Sequence, residues 1–263
     1  SISAACSTAS GEAAMRLAFV SDLHGNLDAL EAVVADLAEV APDLVVNLGD
    51  CLSGPLDAAA SCDRLIDLGW TTLRGNHDRQ VLDRPIEAMG ASDAATAWAL
   101  ADHHRAWLAE LPPVALPAPG VLAFHGLRSD DLAYAAEKVT PSGVVLRSPQ
   151  EIARRLGPSE ATLLVGGHSH IPRLVDLGDG RLYLNPGSIG LQAYEDDEPH
   201  FHVMETGSPH ARYAVVDRVG DGWRVGFRLV AYDTRGAVAR ATAAGRDDWA
   251  EALATGFRRN HGR

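Results

Sequence analysis

Residues 16–26 read RLAFVSDLHGN: an apolar run from Arg16 to Val20 that stops at the polar pair Ser21-Asp22. Behind it, Leu27, Leu30, Val33, Val34 and Leu37 recur at helical spacing until Pro42 ends the pattern. The same alternation follows once more and ends on a third strand. DLVVNLGD (Asp43 to Asp50) is a second buried strand closing on Gly49-Asp50, residues 58–68 have a helical period, and Thr71 to Leu73 form a third strand before Arg74 and Gly75. Strand, helix, strand, helix, strand predicts a parallel α/β sheet with right-handed crossovers.

Outward from this core, residues 85–111 are Ala-rich and carry Trp98, Leu100, Trp107 and Leu108, which predicts a helical insertion. Pro112, Pro113, Pro117 and Pro119 then make a stiff connector. VLAFHG (Val121 to Gly126) and TLLVGGHSH (Thr162 to His170) are again apolar strands running into polar, glycine-containing turns. Gly178-Asp179-Gly180 and Gly220-Asp221-Gly222 predict two hairpins, Glu195 to Pro199 an exposed acidic loop, and 237–259 a helical C-terminus. Residues 1–14, SISAACSTASGEAA, read as a flexible tail of small residues without the basic start and apolar stretch of a signal peptide. We exclude them from the fold and read 15–263 as one domain.

Composition narrows the function. Thirty-five Asp and Glu against 23 Lys and Arg give a formal net charge of −12. Such a surface disfavours sequence-independent nucleic-acid binding, which runs on Lys and Arg neutralising phosphates. A small phosphorylated substrate is still admissible, because bound metal ions reverse the field locally. No apolar run approaches the ~20 residues of a membrane span. Three cysteines (Cys6, Cys51, Cys62) without paired-motif spacing point to a reducing compartment, most simply the cytoplasm.

Five of the expected strands end in residues able to bind metal: Asp22 with His24, Asp50, Asn76 with His77, His125, and His168 with His170. In an open α/β sheet, the loops beyond the carboxyl ends of the strands converge on one crevice. Imidazole mixed with carboxylate suits Mn²⁺, Fe, Ni²⁺ or Zn²⁺, whereas Mg²⁺ and Ca²⁺ want oxygen. The set is too large for one tetrahedral zinc and suits two ions sharing a carboxylate.

The ordered blocks Asp22-x-His24, Gly49-Asp50, Gly75-Asn76-His77-Asp78, His125 and Gly167-His168-x-His170 resemble the calcineurin-like metallophosphoesterase superfamily. The flanking sequence through Asn185-Pro186-Gly187-Ser188 resembles its small prokaryotic phosphodiesterase branch. The resemblance implies a four-layer αββα sandwich of two mixed β-sheets flanked by helices, with the site at one end. It implies that Asp22, His24 and His170 hold one divalent transition-metal ion, that Asn76, His125 and His168 hold a second, and that Asp50 bridges them. Mn is the first expectation, with Fe, Ni or Zn as alternatives. His77 would stand beside the pair as proton donor or phosphate-oxygen contact, oriented by Asp78. Two ions about 3.5–4 Å apart activate water and clamp phosphoryl oxygens for in-line attack, and a histidine at the leaving oxygen adds typically 10²–10⁴-fold.

The resulting expectation is hydrolysis of a small phosphorylated substrate, diesters ahead of monoesters on the resemblance alone. A nuclease of the same superfamily is the alternative that the acidic surface disfavours. A metal-binding scaffold without chemistry is a third reading, opposed by the complete ligand set and the presence of His77.

Bland readings stand beside several residues. Asn26 either contacts phosphate or caps the helix that starts at Leu27, and Arg128 either reaches a substrate phosphate or is a solvated arginine. His200 and His202 have metal-like spacing but match no block, so a surface role is expected. His103 and His104 read as half-exposed on a helix. The segment with Trp98 and Trp107 reads as core or as the contact of a homodimer.

Overall fold

The computed structural model describes residues 15–259, so the tail expected at 1–14 lies outside the described residues. The opening alternation is as expected: β1 (Arg16–Val20), α1 (Leu27–Val40), β2 (Leu44–Asn47), α2 (Ala58–Leu68) and β3 (Thr71–Thr72). The three strands are parallel, with Leu17 opposite Leu44 and Val46 opposite Thr71. Helix α3 (Asn76–Asp83) follows β3, and the insertion expected at 85–111 holds a single 3₁₀ turn at Ile86–Ala88, α4 (Ala91–Ala99) and α5 (Asp102–Glu110).

The second half runs β4 (Val114–Ala115), β5 (Val121–Phe124), β6 (Glu137–Thr140), β7 (Gly143–Leu146), α6 (Pro149–Leu156), β8 (Leu163–Val165), β9 (Arg173–Asp176) and β10 (Leu182–Asn185). It closes with β11 (Ala193–Asp196), β12 (His202–Glu205), β13 (Ala211–Val219), β14 (Gly222–Val230), α7 (Arg235–Ala243) and α8 (Asp247–Thr255).

Two five-stranded mixed sheets result, with strand orders β14-β13-β1-β2-β3 and β4-β5-β8-β10-β9. In each, a parallel centre is edged by antiparallel strands: β13 beside β1 in the first, β4 beside β5 and β9 beside β10 in the second. Leu17, Phe19, Val46 and Leu48 of the first sheet meet Val121, Ala123, Leu163 and Val165 of the second in one buried cluster. At roughly 1.5–3 kcal/mol for each large apolar side chain, this seam is what clamps sheet to sheet. Alternate strand residues face outward. Ala18 and Val20 pack on Leu30, Val33 and Leu37 of α1 and Leu65 of α2, while Phe124, Leu164 and Tyr183 pack on Ile152 and Leu156 of α6. The layers are therefore helix, sheet, sheet, helix, the four-layer sandwich expected.

Three local expectations need correcting. The acidic stretch Glu195–Pro199 is partly strand: Glu195 and Asp196 belong to β11, which pairs with β12 so that Ala193 and Met204 are buried while the carboxylates face out. The C-terminal helix is two helices, because Gly245 at φ 71° breaks it between Ala243 and Asp247. The hairpin β6–β7 and helix α6 were not expected. The signal for α6 was present, since Ser148 and Glu151 cap each other's backbone and Pro149 opens the first turn.

Candidate metal centre

Each chemistry-bearing loop leaves the carboxyl end of a parallel strand, β1, β2, β3, β5 or β8, and two glycines set how closely those loops approach. A Cβ at Gly75 would overlap the Asp50 carboxylate, and one at Gly167 would overlap the Ser21 hydroxyl. The side chains converge in two groups whose ligand atoms all lie within 4.8 Å of one another: Asp22, His24 and His170, and Asp50, His125 and His168. All the residues of the first group are buried, as are Asp50, His125 and Asn76 beside the second. Each group takes side chains from both sheets. Asp22, His24 and Asp50 follow β1 and β2, whereas His125, His168 and His170 follow β5 and β8.

The backbone there is strained. Asp22, His24, Asp50, His168 and His170 have φ of 55°, 53°, 53°, 69° and 59°. This left-handed region costs a non-glycine residue roughly 1–3 kcal/mol, and such strain clusters at functional sites.

Three histidines have fixed tautomers. The Nδ1 atoms of His24, His125 and His170 bond the carbonyls of Ser53 (2.7 Å), Leu48 (3.0 Å) and Leu191 (2.7 Å), so each Nδ1–H is the donor. Their Nε2 atoms then turn inward, as metal-binding imidazoles do. His168 is reversed, since its Nε2 bonds the Leu132 carbonyl (3.0 Å). The inward atoms crowd one another. Nε2 of His24 lies 3.1 Å from Nε2 of His170, which is 3.5 Å from Asp22 Oδ1. Nε2 of His125 lies 3.2 Å from Asp50 Oδ2 and 3.1 Å from Asn76 Oδ1. Asp22 Oδ1 is fully buried without a hydrogen-bond partner. The His24 and His170 lone pairs face each other beside an orphaned carboxylate oxygen, an arrangement that fits a divalent cation.

Electrostatics follow from this crowding. Burial, reinforced by His170, lowers His24 to about 4, and burial reinforced by His125 lowers His168 to about 4. For His125 burial opposes charge, but Asp50 outweighs it and raises the ring to about 10. Burial likewise opposes the Asp22 carboxylate, yet His170 brings it down to about 2.

His77 stands at the edge of this cluster with its side chain one-third exposed to the cleft. Its backbone N–H donates to Asp50 Oδ1 (2.9 Å), and its Nδ1 bonds Asp93 Oδ1 (2.7 Å). Desolvation opposes its charge, but Asp50 and the Asp93 bond carry the ring up to about 9. The expectation that Asp78 orients His77 is thus corrected. Asp78 is buried and accepts from the backbone N–H groups of Cys51 (3.0 Å) and Gly75 (2.9 Å), fastening the Asp50 loop to the Asn76 loop. Asp93 was missed because it sits on α4, far from every motif. Its second bond, from Ser53 Oγ (2.6 Å), locks it in place.

Other candidates are not brought to the site. Asn26 caps α1 through Ala29 N–H and donates to the Gly190 carbonyl and Tyr232 hydroxyl, so the capping reading holds and no atom is left for phosphate. Arg128 turns away and bonds the carbonyls of Leu156 and Pro158. His202 is buried, not superficial, because Tyr134 bonds its Nε2 (3.0 Å). His104 is buried, not half-exposed, while His103 is exposed. With Asp63 they form a third group of possible ligands. There His104 Nδ1 accepts from Ala101 N–H, so its Nε2–H donates to Asp63 and its own lone pair is spent on the cap of α5.

The centre opens into a cleft of about 710 Å³. Trp249 of α8 forms part of its wall and meets the His24 ring edge-on at 5.8 Å. Tyr134 stacks on His168 with centroids 4.9 Å apart.

Among solved structures, a metallophosphoesterase from Sphaerobacter thermophilus is similar to this chain at TM-score 0.71 and 24% identity, covering 93% of this chain and 100% of that one. The E. coli phosphoesterase Yfce matches at TM-score 0.42 and 20% identity over 82% of this chain and 100% of that one. An archaeal phosphodiesterase matches at TM-score 0.44 and 14% identity, over 81% and 100%. No curated protein sequence matches the chain. The family model described as the calcineurin-like phosphoesterase superfamily domain matches residues 15–208, the span that supplies every ligand candidate and His77. On that match, the chain belongs to the calcineurin-like phosphoesterase superfamily, a class of metal-dependent phosphoesterases.

Proposed function

We propose that this chain is a dinuclear phosphoesterase that hydrolyses small phosphate esters, diesters ahead of monoesters. One observation carries the reading: two adjoining groups of inward-facing ligand atoms, with the orphaned Asp22 Oδ1 between them, lie beside a histidine exposed to an open cleft. Asp22, His24 and His170 would hold one divalent ion, Asn76, His125 and His168 the second, and Asp50 would span both. When bound, such ions activate water and stabilise charge on the phosphoryl oxygens. Mn²⁺ is our first choice, with Fe, Ni²⁺ or Zn²⁺ compatible with the same donors.

The chain's own groups do the rest. Asn76 contributes a neutral oxygen, which leaves more positive charge to face the substrate. His77, its Nδ1–H held by Asp93, presents Nε2 to the cleft and gives its proton to the departing oxygen. Asp78 keeps the two ligand loops in register without touching substrate. Two buried free thiols, Cys51 and Cys62, support a reducing compartment such as the cytoplasm. No helix among the described residues is long and apolar enough to cross a membrane.

The test is hydrolysis of bis-p-nitrophenyl phosphate and p-nitrophenyl phosphate by protein stripped of metal and reloaded with Mn²⁺, with Asp50→Asn as control. Metal-dependent turnover lost in the control supports the reading, and the ratio of the two substrates sets diesterase against monoesterase. Fully metallated protein that cleaves neither ester would count against it.

A further inference from the structure

On a chain where acids outnumber bases by 35 to 23, a guanidinium normally finds a carboxylate. In the cleft wall, Arg258 pairs with Glu195 and Glu251, and Arg246 pairs with Asp248. Arg147 and Arg155, which line the same cleft, have no carboxylate at ion-pair distance among the described residues. Backbone carbonyls hold them instead: Arg147 Nε donates to the Glu137 carbonyl (3.2 Å) and Arg155 Nη2 to the Tyr134 carbonyl (3.1 Å). Each guanidinium is thereby fixed through one edge, and its remaining N–H groups are left for another acceptor.

The two are close enough to repel. Arg147 is shifted down by partial burial and then by Arg155. Nearby acids are already engaged. Glu137 Oε1 accepts from Arg173 (3.0 Å), and Glu151 is tied to Ser148 in the cap of α6. Glu151 and Glu137 still attract Arg147 from beyond ion-pair distance, but two adjacent cations with no direct carboxylate partner on a strongly acidic protein are placed for an anion from outside, since planar guanidiniums match phosphate oxygens bidentately.

The pair is physically joined to the metal centre. Residues 132–137 run from the Leu132 carbonyl, which accepts from His168, to the Glu137 carbonyl, which accepts from Arg147. Five residues span at most about 17 Å when fully extended. Between these ends Tyr134 stacks on His168, while its own carbonyl holds Arg155. Beside them Glu137 Oε2 is buried with no hydrogen-bond partner, an acceptor suited to a ligand hydroxyl.

We propose that Arg147 and Arg155 form a second anion subsite, so that the substrate is a phosphate ester whose non-reacting half carries a second phosphate and a hydroxyl. The subsite deepens the phosphoesterase reading and rests on it for the word substrate, but it can be tested without turnover. Metal-free protein in chelator is titrated calorimetrically with inorganic pyrophosphate, comparing wild type with Arg155→Ala and with Arg147→Lys/Arg155→Ala. Arg155 is exposed, so its loss leaves the fold intact, and melting temperature checks this. Loss of charge-assisted bonds weakens binding by about tenfold or more in the double variant. No binding by wild type, or equal binding by all three proteins, overturns the subsite. In the metal-loaded protein the same variants keep wild-type kcat/KM for bis-p-nitrophenyl phosphate, which has no second anion, and a parallel loss there would also overturn the assignment. Absence of any hydrolysis by wild type removes the phosphoesterase reading and leaves the pyrophosphate result standing.

Discussion

The Nε2 atoms of His24 and His170 face each other at 3.1 Å, and each ring is pinned there by an Nδ1–H given to a backbone carbonyl. Two lone pairs in that position repel unless a cation lies against both. Divalent metal should therefore stabilise the fold. At a free concentration about 1,000 times Kd the gain is about 4 kcal/mol, which raises Tm by roughly 8–16 °C for a chain of this size. Thermal denaturation in Mn²⁺ against chelator measures it, and His170→Ala should abolish most of the increment. An unmoved Tm would mean that the two rings serve packing alone.

A second expectation concerns protons. His125 gives its Nδ1–H to Leu48, so the proton it retains up to about pH 10 sits on Nε2, beside Asp50 and Asn76. A metal bound there must displace it. Loading at pH 7 should release about one proton per chain from this residue, and affinity should rise with pH toward 10. Calorimetry in buffers of different ionisation enthalpy counts the protons, and release unchanged in His125→Ala would refute the assignment. In the metal-free protein the sign for stability is opposite. A folded pKa raised above the unfolded value stabilises fully below pH 6.5, and that contribution fades as pH climbs through 10.

Asp93 should act only through His77. Replacing Asp93 by Asn keeps its shape but loosens the Nδ1 anchor, so kcat should fall roughly 10–100-fold, less than the 10²–10⁴-fold expected for His77→Ala. Metal content should be unchanged in both variants, as plasma mass spectrometry can read. Metal loss in Asp93→Asn would instead make it part of the ligand framework.

Asn26 and Arg128 give a fourth comparison. Asn26→Ala removes a helix cap and buried bonds to Gly190 and Tyr232, which costs about 1–3 kcal/mol in denaturant unfolding. Neither Asn26→Ala nor Arg128→Ala should alter KM, since Asn26 is spent on the cap and its buried bonds and Arg128 is turned from the centre toward the Leu156 and Pro158 carbonyls. A KM rise in Arg128→Ala would restore its role as a phosphate contact.

The residues of the metal groups were legible because each sits directly behind a strand whose apolar run announces its own end. Strand β1 followed by Asp22 and His24 is a purely local pattern. Asp93 was not legible, because its contact with His77 arises from the docking of α4 against α3, which no spacing encodes. The arginine pair and Trp249 escaped for the same reason, being brought to the cleft by α6, β7 and α8. Asp78 misled because neighbours in sequence need not be neighbours in chemistry: α3 turns its side chain toward two backbone amides and away from the His77 ring. His202 looked superficial beside an acidic loop, yet the β11–β12 pairing turns it inward toward Tyr134.

Because each group of ligands draws on both sheets, neither sheet carries a complete half-site. A chain nicked in the proline connector between α5 and β4 would leave Asp22, His24 and Asp50 on one fragment and His125, His168 and His170 on the other. Each fragment alone would be a weak chelator, and only their reassociation, through the β1–β13 pairing as well as the Phe19–Val165 seam, would restore the site. In assembly terms the centre is a coincidence detector for correct sheet docking, and its occupancy would report whether the two fragments have found each other.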